Sequence, residues 1–136
     1  MNNVQWTMYN ERWEMKKKED NIIGDKSVKF ALRIVKCYQY LQEDKKEYIM
    51  SKQLLRSGTS IGANIREGMF AQSHPDFISK MGIALKEAEE TDYWLYLLSE
   101  SEFLDEKIYK SFNKDIKELI KLLVSIIKTA RKAQNG

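Results

Sequence analysis

The chain of 136 residues has one cysteine, one proline, one histidine and six glycines. A single cysteine, Cys37, excludes an internal disulfide, and nothing points to an oxidising compartment. So few prolines and glycines argue against a β-fold with many turns and for a few long helices. No run approaches the roughly 18 apolar residues that a membrane span requires. The first 20 residues lack the apolar stretch of a signal peptide, so the cytoplasm is the expected location and no membrane partner is expected. With His74 as the only histidine, placed before Pro75, the Glu-x-x-His pairs of a di-iron bundle cannot form, and Glu87, Glu89 and Glu90 make a poor transition-metal site without a histidine beside them. Turn or capping duty suits His74 better than catalysis. No phosphate-cradling G-x-x-x-x-G-K stretch occurs. The sequence reads as a non-enzyme without cofactor or metal.

What is abundant is helical periodicity. Phe30, Ala31, Ile34, Tyr38 and Leu41 recur at the 3,4 spacing of one helical face, and Asp25 is placed to cap that first helix. A second helix is expected from about Lys46 to Ala71, with Leu54, Leu55, Gly58, Ile61, Gly62, Ile65 and Met69 as its core stripe. Ser73-His74-Pro75-Asp76 joins a breaker to an S-x-x-D capping box, so a third helix should start there and run to about Ser101. Asp105 is placed to cap a fourth, which reads through Ile108, Phe112, Ile116, Leu119, Leu123, Ile127 and Ala130. Long helices with short connections must pack antiparallel to their neighbours. The fold class is therefore all-α, an antiparallel up-down-up-down four-helix bundle. Residues 21–133 form the bundle, residues 1–20 a loosely held extension, and residues 134–136 a frayed end.

Within the second helix, RSGTSIGANIREG places two glycines inside a helix. Each interior glycine costs about 1 kcal/mol relative to alanine. Gly58 and Gly62 lie four apart on the buried face, where a missing Cβ admits a neighbouring backbone closely. Beside them runs a polar stripe of Arg56, Ser57, Ser60, Asn64 and Glu67. Buried polar groups need partners, and Glu87, Glu90 and Thr91 on the third helix are the candidates. The stripe reads chiefly as a device that fixes helix register, with ligand binding as the alternative.

SKQLLRSGTSIGANIREG, preceded by FALRIVKCYQYL and followed by DFISKMGIALKEAEETDYWLYLL, resembles the bacterial four-helix-bundle family encoded by intervening sequences of 23S ribosomal RNA. The resemblance spans about residues 21–132. It implies an antiparallel four-helix bundle, with homopentamers among relatives. That family is in turn similar to the accessory proteins of diversity-generating retroelements, which associate with a reverse transcriptase and bind nucleic acid through a basic surface. Ser60, Asn64, Glu67 and Gly68 match the family pattern, whereas Arg66 stands where a small residue is usual.

Charge is segregated along the chain. Residues 74–104 hold two basic and seven acidic side chains, while residues 105–136 hold eight basic and four acidic. Lys107, Lys110, Lys114, Lys117, Lys121, Lys128 and Lys132 follow a spacing that places them on one helical stripe. Lys26, Lys29, Arg33 and Lys36 form a second stripe that would widen the first if the two helices are neighbours. Such a surface attracts phosphates of RNA or DNA without reading sequence; a solubilising exterior is the plainer alternative. Tyr93-Trp94-Leu95-Tyr96-Leu97-Leu98 cannot be buried on every side, so Tyr93, Trp94, Tyr96 and Leu97 are candidates for an interface between copies of the chain. The expected partner is the chain itself, as a homo-oligomer, with RNA or DNA as a further partner. The competing reading is an adaptor that recruits another protein, such as a polymerase.

Overall fold

In a computed structural model the described residues are 18–135, and the side chains of 22–134. Four helices account for nearly all of them: α1 (Lys18–Glu43), α2 (Met50–Met69), α3 (His74–Glu100) and α4 (Glu106–Asn135). Each helix packs on its neighbours in sequence order, and α4 closes against α1, while the diagonal pairs stay apart. Every seam runs antiparallel, giving an all-α four-helix bundle. On one seam Gly24 faces Met69 and Gly58 faces Ile34. On another Arg33 pairs with Asp115 and Lys26 with Glu118.

The first helix starts earlier than its sequence cue. Asp25 lies inside α1, exposed to water, and caps nothing; the helix reaches back to Lys18, across the boundary drawn at residue 20. Burial explains the difference, because Ile23 is fully buried and extends the stripe of Phe30, Ile34, Cys37 and Leu41. Trp6, Met8, Tyr9 and Trp13 lie outside the described residues.

The second helix is shorter than its periodicity implies, beginning at Met50 and not at Lys46. Lys46 adopts a left-handed backbone (φ 57°), which no continuing helix tolerates. Buried Glu47 then supplies the cap: Ile49, Met50 and Ser51 donate their backbone N–H groups to its carboxylate at 3.2, 2.9 and 2.7 Å. Burial pushes the Glu47 carboxyl up, but the N–H bonds of Met50, Ser51 and Ile49 outweigh it and hold the group below the usual carboxylate range.

The other ends follow the sequence closely. Asp76 donates its N–H to the Ser73 hydroxyl at 3.2 Å, and Ile108 donates to Asp105 Oδ1 at 2.8 Å. α3 stops where Glu102 turns left-handed (φ 70°), with Phe103 N–H on Leu98 O and Glu102 N–H on Ser99 O. That is a Schellman stop made without glycine. His74 is the first residue of α3, and its Nε2 stands 2.8 Å from Ala130 O near the far end of α4.

Candidate functional site

The glycine face of α2 lies on α1. A β-carbon built on Gly58 would stand 2.9 Å from both Cγ1 and Cγ2 of Ile34, and one on Gly62 would stand 3.3 Å from Ser27 Oγ. Gly68 does the same against α3, where Met81 Cε would be 2.8 Å away. The backbones approach where these side chains are missing, and Leu54, Ile61 and Ile65 fill the adjacent core.

The polar stripe of α2 faces α3. The buried hydroxyls of Ser57 and Thr91 lie 2.9 Å apart, Arg56 meets Glu90 at 2.8 Å, and Lys80 meets Glu67 at 3.0 Å. Trp94 Nε1 also donates to Glu90, at 3.1 Å. The Lys80 ammonium is held above its ordinary range by its hydrogen bond to Glu67. Ser60 and Asn64 turn inward on their own helix, donating to the carbonyls of Arg56 and Ser60 at 2.6 and 2.9 Å. This seam is occupied by its own side chains, which is the geometry of helix registration.

On α4, Phe112, Ile116, Leu119, Leu123, Ile126, Ile127 and Ala130 are buried. At about 100° per residue, the seven lysines occupy an arc of about 80° opposite that face, and the row from Lys107 to Lys132 is about 37 Å long. All seven are exposed. Two are paired, Lys110 with Glu106 at 3.0 Å and Lys117 with Asp92 at 2.9 Å. The hydrogen bond that Lys117 donates to Asp92 raises its ammonium, and burial followed by the Asp92 charge raises the neighbouring Tyr109 phenol. Lys107, Lys114, Lys121, Lys128 and Lys132 make no ion pair among the described residues. Four of these five recur every seven residues, a repeat of about 10.5 Å along the helix.

The stripe on α1 divides. Lys26 pairs with Glu118 at 3.0 Å, and Arg33 pairs with Asp115 while its Nη2 donates to Ser111 Oγ at 2.8 Å. The Arg33 guanidinium also lies over the Phe112 ring, 4.1 Å from its centroid. Both residues tie α1 to α4, so their charge is largely spent at that seam. Lys29 and Lys36 are exposed and carry no ion pair among the described residues. Nothing in the spacing of α1 marks Arg33 as the residue that reaches α4; the signal appears only when Asp115 and Phe112 are brought beside it.

The aromatic stretch of α3 splits in the same way. Leu95 and Leu98 are fully buried, whereas Tyr93 is 55% and Tyr96 51% exposed. Trp94 and Leu97 are half-buried, and the Tyr93 and Trp94 rings meet edge-to-face at 5.1 Å. Glu89 and Glu100 are exposed on the same helix. Gly82 shares this outward side, and a β-carbon there would meet nothing within 4 Å.

No cluster of three or more His, Cys, Asp or Glu that could hold a metal occurs among the described residues. No helix of the described residues is long and apolar enough to cross a membrane. Cys37 is buried, and desolvation pushes its thiol up to about 11. An open cleft of about 630 Å³ lies between the ends of α1, α3 and α4, lined in part by Tyr40, Tyr109 and Lys110. It offers carboxylates and lysines without a histidine or thiol to work with them.

No curated protein matches the chain. Among solved structures, it is similar to a protein of unknown function from the S23 ribosomal protein family of Bacteroides thetaiotaomicron. The two are 58% identical with a TM-score of 0.80, covering 81% of this chain and 98% of that one. The family described as 23S rRNA-intervening sequence protein matches residues 19–125. A bundle of this order, with its glycine-bearing second helix, thus belongs to the 23S rRNA-intervening sequence protein family.

Proposed function

We propose that this chain is a non-catalytic cytoplasmic protein that binds nucleic acid through the outward row of α4 and self-associates through the outward face of α3. The observation that carries the first part is the set of five lysines, Lys107, Lys114, Lys121, Lys128 and Lys132, aligned on one face without a carboxylate partner among the described residues. Ammonium groups left unpaired on a rigid helix are available to phosphates, and their binding releases counterions. An RNA partner is in keeping with the ribosomal family to which the solved relative is assigned. Lys29 and Lys36 are exposed on α1 but lie beyond the Lys26–Glu118 and Arg33–Asp115 pairs that hold α1 to α4, and so stand outside this row.

Self-association rests on Tyr93 and Tyr96, two half-exposed rings flanked by Glu89 and Glu100 on the acidic helix. A head-to-tail contact of this face with a basic surface of the next copy closes into a ring if the rotation allows. Five copies is the number that the resemblance to the rRNA intervening-sequence family implies, through its homopentameric relatives. The adaptor reading uses the same aromatic face for a different polypeptide.

Salt titration of RNA binding tests the main reading. Binding is expected to weaken steeply as salt rises and to be lost when Lys114, Lys121 and Lys128 are replaced together by Glu. Binding that ignores those replacements would sink the assignment to α4.

A further inference from the structure

We infer that the nucleic acid held by α4 is a double helix, gripped by its phosphates alone. The inference rests on the nucleic-acid reading above and narrows its substrate class. Proteins that bind single strands combine a basic groove with aromatic rings on which bases stack. The α4 row has no ring: the positions between its lysines on the outer face include Ser125, and Tyr109 is half-buried toward Asp92. Of the exposed rings among the described residues, Tyr93 and Tyr96 stand on the acidic helix beside Glu89 and Glu100, where phosphates are repelled, and Tyr48 and Phe70 stand on the α1–α2 and α2–α3 connections, off α4.

The row is also narrow. On one flank Asp115 and Glu118 hold Arg33 and Lys26, and on the other Asp92 holds Lys117. What remains is a straight positive line about one side chain wide and about 37 Å long. A flexible strand gains little from a line, because it must be straightened to follow it, an ordering cost that no stacking offsets. A duplex is already straight. It carries one phosphate charge per about 1.7 Å of axis, counting both strands, against half that density for one strand. Lysine ammoniums supply point charges with no planar fork to read base edges, and no side chain of the row is arranged to distinguish a 2′-hydroxyl. RNA and DNA duplexes should therefore bind alike.

The test is fluorescence anisotropy of the full chain with an RNA duplex, the matching DNA duplex and an unstructured single strand of each, across a salt series. Duplexes should bind about tenfold more tightly than single strands, with a log–log salt slope no steeper than about −4.5, the limit for five released counterions. Lys114→Gln with Lys121→Gln and Lys128→Gln should flatten that slope while circular dichroism stays helical. Equal or tighter binding of single strands would overturn the duplex assignment yet leave nucleic-acid binding standing. A large preference for one sugar would overturn the phosphate-only grip. Failure of every probe to bind at low salt would overturn the underlying reading and this inference together.

Discussion

Gly58 and Ile34 occupy space that only one of them can fill: a β-carbon on the glycine would stand 2.9 Å from two side-chain carbons of the isoleucine. Both carbons branch from the Ile34 Cβ, which is stiff in a helix and cannot swing aside. Gly58→Ala gains about 1 kcal/mol of helix propensity but loses about 1–3 kcal/mol to overpacking. Net destabilisation is expected, larger for Gly58→Val. Gly82→Ala is the internal control, since nothing lies within 4 Å of its β-carbon. That variant should gain about 0.5–1 kcal/mol. Urea unfolding of the two alanine variants measures the opposite signs, and equal shifts would refute the packing role.

The Glu47 cap makes a prediction about acid. The folded carboxyl is held below its ordinary range, so the unfolded chain binds a proton first as pH falls. The contribution is fully present above the unfolded value of about 4.3 and is lost as pH falls through the lower folded value. Glu47→Gln should cost about 0.5–2 kcal/mol near neutrality, the usual size of an N-cap loss. Its urea midpoint should then fall less steeply than that of the parent between neutrality and acid. Parallel pH profiles would show that the three N–H bonds are not what stabilises the carboxylate.

Arg33 joins α1 to α4 through Asp115, Ser111 and the face of Phe112. The ion pair is more than a third exposed on each side, so solvent screens it. A double-mutant cycle with Arg33→Ala and Asp115→Ala should give a coupling of about 0.2–1 kcal/mol that shrinks with salt. Arg33→Ala alone should cost more than that coupling, because the contact with Phe112 goes too. A cycle with no coupling at low salt would remove the pair from the account of this seam.

Cys37 should be a slow thiol. It is buried and its acidity is displaced to about 11, so little thiolate exists in the folded chain at ordinary pH. Labelling by a disulfide reagent should proceed only through opening of the bundle, and rapidly in denaturant. Fast labelling of the native chain would mean that α1 separates readily from its neighbours.

Self-association is checked by light scattering. The parent should exceed the mass of one chain at micromolar concentration, and Tyr93→Glu with Tyr96→Glu should reduce it to a single chain. Both rings are half-exposed and outside the core, so the fold should survive. A parent that stays monomeric would refute the aromatic face as an interface.

Most of the bundle is legible in the sequence because its signals are local. Ser73 and Asp105 cap the helices that follow them, and the 3,4 stripes read in the first, second and fourth helices point inward. Signals that depend on tertiary contact are not legible in this way. Asp25 resembles a cap, yet burying Ile23 two residues earlier outweighs the local preference. Glu47 is an unusual capping residue, and its role depends on Lys46 turning left-handed before it. Pairing of the polar stripe with Glu90 and Thr91 could be anticipated because both helices showed their polar positions openly. The inward turn of Ser60 and Asn64 onto their own helix could not, since a carbonyl four residues back leaves no trace in residue type.

The line of unpaired lysines on α4 shares no atom with the glycine contacts, the caps or the seam between α2 and α3. A lineage carrying this bundle is therefore free to rewrite that edge, even to reverse its sign, without renegotiating how the rods assemble. The charge that edge presents can drift while the shape is kept.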